Sequence, residues 1–315
     1  MRIPHLVILL LMLVLPAALR AQQEPQISQY WALPGFSNPA AIAQGDRLTV
    51  GALDRMQWVS VTNAPKTFFA TAETPFKLIG KKHGVGVIVI SDQAGLFAAT
   101  DLALQYAFRL KLWRGELSLG IRAGFTSQSF DGTKVDIPST PDHDPSADAI
   151  PRTSVSAMGF DAGVGAYYSD PRFYAGLSAM HLPQPELELD EKSYLQVKSV
   201  YYLTAGCNIA LRNPLYELQP SVLIKSTFQT TQVDITCRLL YNKVVWGGLN
   251  YRYGDAVSVL IGADLKGIRV GYAYDIGTSA LASASGGSHE LFASYMLKLD
   301  LGSKSKNKHK SIRIL

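Results

Sequence analysis

The chain has little of what most functional classes require. Beyond the first fifteen residues no stretch holds eighteen consecutive apolar residues, so no helix is expected to span a bilayer after that point. No helical periodicity stands out anywhere. Only two cysteines occur in 315 residues, which excludes a disulfide scaffold and cysteine-based metal sites. No G-x-S-x-G elbow, nucleotide-binding loop or nucleic-acid motif is present. Positive charge is also scarcer than the formal +5 suggests. Arg2 and Arg20 flank an N-terminal apolar run. Lys304, Lys306, Lys308, Lys310 and Arg313 share one tail, and removing these seven leaves about −2 for the body. That balance excludes a nucleic-acid binder by charge.

Strict alternation is what the chain does have. In "LALQYAFRLKLWRGELSLGIRAGF", Leu102, Leu104, Tyr106, Phe108, Leu110 and Leu112 take one parity, and Gln105, Arg109 and Lys111 the other. After Trp113-Arg114-Gly115 the pattern restarts with Leu117, Leu119 and Ile121. Period two means strands, and the restart means a tight turn. Fourteen such segments follow one another, roughly 47–57, 66–76, 84–91, 97–111, 116–126, 155–168, 172–180, 200–211, 215–226, 230–240, 243–252, 256–265, 267–274 and 289–301. Most are about ten residues long, enough for a tilted strand to cross a bilayer.

Loop lengths segregate. Connections after even strands are short: Lys77 to His83, Leu112 to Gly115, Ser169 to Pro171, Arg212 to Pro214, Tyr241-Asn242 and Lys266. The three long ones, Ser127 to Ser154, His181 to Ser199 and Asp275 to Ser288, all follow odd strands. A soluble sandwich has no reason to sort loops this way. One parity carries Arg109, Arg122, Asp161, Lys225, Asp234, Arg238, Arg252, Asp264 and Arg269, while aromatic residues gather near strand ends. The fold class expected is all-β, an antiparallel transmembrane β-barrel of the bacterial outer membrane with about 14 strands. The domain reading is 1–21 signal peptide, 22–46 N-terminal plug or periplasmic segment, 47–302 barrel, and 303–315 basic periplasmic tail. The tail is read as solvated, with docking to an acidic partner or anionic lipid heads as the alternative. Localisation in the outer membrane follows from the leader and the barrel.

Three features could carry chemistry, and each has a plainer reading. Ser288-His289-Glu290 holds nucleophile and base types, but strand neighbours point to opposite faces. Asp131, Asp136, Asp142, His143, Asp144 and Asp148 crowd one loop that could hold Ca²⁺. Their spacing fits no EF-hand, and Pro138, Pro141, Pro145 and Pro151 suggest an extended solvated loop. Cys207 and Cys237 fall on the apolar parity with one strand between them. That is about 9–10 Å, beyond disulfide reach, so they are read as free. No enzymatic activity, metal or cofactor is expected.

A series of motifs, in order along the chain, resembles the PorP/SprF family of outer-membrane proteins from the type IX secretion system of Bacteroidetes. "PQISQYWALPGFSNPAAIA" (25–43) resembles the family's Q-x-S-Q-Y and N-P-A opening. "DRMQWVSVTNAPKT" (54–67) resembles its R-Q-Q-W-V and A-P-K-T, with Met56 in place of the second glutamine. "GVGVIVISDQAG", "DPRFYAGLSAMHL", "YRYGDAVSVLIG", "RVGYAYDI" and "GSHELFASY" follow. The resemblance implies a non-enzymatic component of protein secretion and gliding that anchors periplasmic ring components or handles cargo. Its implied partners are a periplasmic ring lipoprotein, a peptidoglycan-binding protein and secreted proteins with a type IX C-terminal signal. It marks Arg55, Gln57, Trp58, Pro65, Lys66, Asp255, His289 and Glu290 as motif residues without assigned roles. The competing function is an outer-membrane porin or hydrophobic-solute transporter.

Overall fold

The computed structural model describes residues 24–135, 151–190, 193–278 and 285–298. Fourteen antiparallel strands form the wall: β1 Leu48–Met56, β2 Lys66–Leu78, β3 Lys81–Ala94, β4 Phe97–Leu112, β5 Gly115–Asp131, β6 Ser154–Ser169 and β7 Phe173–Met180, then β8 Val200–Cys207, β9 Tyr216–Ser226, β10 Thr231–Tyr241, β11 Val245–Arg252, β12 Ala256–Leu265, β13 Ile268–Gly277 and β14 Ser288–Leu297. Each pairs with its neighbours in the chain, and β1 pairs with β14, so the sheet closes on itself. Ile209–Ala210 continues β8 past Asn208, where the sequence reading ran one unbroken strand. A small hairpin, Glu186–Asp190 with Ser193–Gln196, stands apart from the wall. Helical turns among the described residues are limited to three 3-10 turns.

The alternation separates two environments. Leu104 is 69% exposed on the outside, while its neighbour Ala103 is 2% exposed on the inside. Leu102, Leu119, Ile121, Phe125, Leu177, Leu249, Ile261 and Leu291 share that outer surface. Arg109, Arg122, Asp161, Lys225, Asp234 and Arg252 are buried within. A hydrocarbon solvent accounts for both faces, since along the paired ladders the closed sheet satisfies its backbone groups internally.

Short turns close one end. Ile79-Gly80 and Lys266-Gly267 have positive φ at both positions, the mirror-image turn whose twist matches paired strands. The connections after β5, β7 and β13 gather at the opposite end. Several strands outrun the sequence reading there: β3 continues to Ala94, β5 to Asp131 and β13 to Gly277. Asp275, read as the start of a loop, is a buried strand residue. Cys207 and Cys237 are free, on strands that flank β9. The leader at 1–21, the carboxylates at 136–148 and the tail at 303–315 lie outside the described residues.

Candidate functional site: the occupied lumen

Residues 24–44 lie inside the barrel, and most of Gln26–Ala43 is buried, whereas Gly45 and Asp46 are exposed where the chain enters β1. Proline shapes this segment. Pro34 and Pro39 each open a 3-10 turn, where the missing N–H costs nothing. Asn38 caps the second turn by accepting from the Ala40 amide at 2.9 Å, and its Nδ2 donates to the carbonyls of Ala166 and Leu177 at 3.1 and 3.2 Å. The plug thereby borrows hydrogen-bond acceptors from β6 and β7. Two wall glycines permit the approach. A Cβ on Gly120 would stand 2.2 Å from the Ala40 nitrogen, and one on Gly165 2.1 Å from Asn38 Oδ1.

Nearer the long-loop end, charge holds the plug. Ser28 is fully buried, and Arg55 from β1, Glu290 from β14, Asp275 from β13 and Arg252 from β11 surround it. Its hydroxyl donates to Asp275 at 2.7 Å and accepts from Arg55 at 3.1 Å and Arg252 at 3.0 Å. One donor and two lone pairs are the whole capacity of a serine, and all are used. Glu290 accepts the amides of Ser28 and Gln29 at 2.8 and 2.7 Å with its two oxygens, and Arg55 pairs with it at 3.0 Å. Arg55 also meets Asp275 at 2.6 Å. Arg252 pairs with Asp234 at 2.9 Å and Asp255 at 3.1 Å. Five wall strands, β1, β10, β11, β13 and β14, and the plug therefore share one buried charge network, in which each carboxylate faces a guanidinium. Removing a single member strands the remaining charges without water.

Rings fill the middle of the lumen. Trp31 meets Trp246 edge-on at 4.7 Å and Phe292 at 5.8 Å, with the Arg238 guanidinium 3.5 Å above its face. Phe36 packs edge-on against Phe69 and Tyr202. Toward the short-turn end, Gln105 donates to the Gly35 carbonyl at 2.6 Å and Arg109 to that of Ile42 at 2.7 Å. At the other end Glu24 pairs with His181, which also contacts Asp161 at 3.0 Å. Burial by itself would push the Glu24 carboxyl up, but the facing imidazolium outweighs it and holds the group at about 2. Burial would likewise lower His181, and Glu24 and Asp161 outweigh it, raising the imidazole to about 10. Above Glu24 lies a cavity of about 370 Å³, bordered by Asp92, Asp101, Gln128, His181 and Val197.

The residues singled out in the sequence divide. Arg55 and Glu290 sit at the centre of the charge network, and Asp255 joins it through Arg252. Gln57 touches the plug through Gln26 at 3.2 Å, and its amide donates to the Pro65 carbonyl at 2.9 Å, pinning the β1–β2 loop. Trp58 adopts a positive φ, and its amide donates to Ser288 Oγ at 3.1 Å. Lys66 is exposed at the start of β2. His289 lies on the outer parity, bonded to the Tyr272 hydroxyl at 2.6 Å, whereas Ser288 is buried inward. The two cannot act on one substrate, so a serine nucleophile with this base has no geometry. Asp131 caps a 3-10 turn and pairs with Lys134 at 2.7 Å, and the described residues contain no group of three metal-ligating side chains. Ser28, Asn38, Asp275 and His181 escaped the sequence reading as site residues. Ser28 stands within the Q-x-S-Q-Y motif, which was its only signal.

No curated protein matches the chain. Among solved structures, the toluene transporter TbuX of Ralstonia pickettii is similar at 12% identity and a TM-score of 0.47, over 83% of this chain and 92% of that one. The toluene transporter TodX of Pseudomonas putida is similar at 11% identity and a TM-score of 0.47, over 84% and 93%. Residues 19–295 match the family model described as "Type IX secretion system membrane protein PorP/SprF".

Proposed function

The chain belongs to the PorP/SprF family of type IX secretion system membrane proteins, and on that premise we propose that it serves as a plugged anchor of the secretion machinery rather than as its conduit. The observation that carries this reading is the buried charge network fixing Ser28 and Gln29 to four wall strands. The plug and the side chains packed around it occupy the middle of the lumen, so the working surfaces in this reading are the two ends. The short turns face the periplasm and meet the ring lipoprotein and peptidoglycan-binding partner. The long connections face outward, where cargo with a type IX C-terminal signal is met. The same occupied lumen speaks against a porin or a hydrophobic-solute transporter, either of which needs a passage.

Purification of the tagged protein from native membranes tests the proposal. A periplasmic lipoprotein and a peptidoglycan-binding protein are expected to co-purify, and deletion is expected to remove extracellular cargo. Unchanged secretion with no periplasmic companion would overturn it.

A further inference from the structure

Among the described residues, the pairing of the wall opens above the level where β7 stops. Along the register, Met56 of β1 faces Lys66, then Gln93, Ala98, Ser129 and Ser156 in turn, so β3 to β6 rise together as a raised wall. β7 accompanies β6 only as far as the pair Val164–Ala179. One further bond follows, from the Leu182 amide to the Ala162 carbonyl at 2.9 Å. Beyond it the chain turns inward, and Pro185 and Leu187 pack over the inner side of Gly159.

That single bond fixes the direction of every backbone group above it. In an extended strand the N–H and C=O of one residue share a side, and the next residue points the other way. The Ala162 carbonyl points toward the missing strand, so the N–H and C=O of Phe160, Met158, Ser156 and Ser154 do as well. The odd residues point to β5, as the Thr153 carbonyl confirms by accepting from Gly132 at 3.2 Å. No described residue pairs with the open side of Ser154–Phe160.

This edge also lacks the features that keep edges from pairing. Ser154 to Phe160, "SVSAMGF", contains no lysine, no proline and no other charge, and its ladder with β5 runs without a bulge. Met158 is 68% and Phe160 52% exposed. The small hairpin nearby is guarded, by contrast, with Glu186, Glu188 and Asp190 along it. A bare edge of this length is a ready template for the backbone of another strand.

We propose that the open edge of β6, Ser154 to Phe160, is a docking site for an extended segment of a secreted polypeptide, which adds to the wall as a strand. The inference rests on the proposed reading for which end faces outward. A second copy of the chain does not fit. Copies in one membrane are related by an axis along its normal, and strands tilted by about 40° would cross at about 80°, far from the roughly 25° between paired strands.

A photo-reactive residue in place of Phe160, in whole cells, tests this. The expected result is an adduct with a secreted polypeptide that Ser156→Pro reduces about tenfold and Ser156→Ala leaves intact, because only proline removes the amide aimed at the edge. The N–H lost is outside the β5 ladder, and heat-modifiable electrophoretic mobility verifies that both variants fold. Cross-linking back to this chain's own residues, to a second copy, or in a manner indifferent to Ser156→Pro would overturn the proposal. An adduct whose partner carries no type IX signal would sink the secretion reading and leave the strand pairing standing.

Discussion

Glu290→Gln is the sharpest perturbation of the lumen. The carboxylate accepts two plug amides, one on each oxygen, and pairs with Arg55. Glutamine keeps the shape but offers one oxygen and an NH2. One plug amide then faces a donor, and Arg55 loses one of its two counter-charges, keeping Asp275. A broken buried pair costs about 3–5 kcal/mol, so the plugged state should lose roughly two to nearly four decades in its equilibrium with a released plug. The barrel's outer face and ladder are untouched, and the variant should insert into membranes normally. In a planar bilayer the native protein is expected to be silent and the variant to show frequent transient current steps. In parallel, protease should cut within residues 24–46 of the variant while the strands survive. A variant as silent and as protease-resistant as the parent would refute the reasoning, because the plug would then be held by something other than this network.

Gly120→Val should release the plug from the other end, since its first carbon would overlap the Ala40 backbone. Protease sensitivity near Ala40 in a barrel that still forms is the check. The Glu24–His181 contact gives a pH window. His181, raised to about 10, contributes stability in full below about 6.5 and loses it as pH rises through 10. Glu24, held at about 2, contributes above about 4.5 and loses it as pH falls through 2. Protection of the plug's N-terminal end should therefore weaken at both extremes, and His181→Gln should abolish the alkaline limb and shrink the acid limb, because His181 is the main group holding Glu24 low. Cys207 and Cys237 should remain reduced in the intact chain, with unaltered mass after alkylation under oxidising conditions compared with full reduction.

The wall was legible because lipid on one side and a packed lumen on the other impose alternation on every strand that crosses the bilayer. Legibility faded where the bilayer ends. "TSQSFD" at the end of β5 carries polar residues on both parities, and its strand character comes from pairing with β4 and β6. Asp275 looked like a loop residue because nothing local distinguishes an aspartate facing Arg55 and Arg252 from one facing water. For the same reason the sequence alone does not choose between lumen and periplasm for the opening segment. Its prolines and Asn38 describe turns, but the groups that hold it come from far along the chain: Ala166 and Leu177 for Asn38, Asp275 and Glu290 for Ser28. Of the motif residues, Arg55 and Glu290 gained a physical role only when the barrel closed and set β1 beside β14. Order in the two cysteines was easier, since sequential antiparallel pairing alone places one strand between them.

Hydrogen–deuterium exchange of residues 26–43 in lipid nanodiscs tests the central claim, that this segment is locked inside the barrel, most directly. Amides of Ser28, Gln29 and Ala40 are expected to exchange as slowly as those of the β1–β2 ladder. Complete exchange of this segment within seconds, while the ladder stays protected, would contradict it.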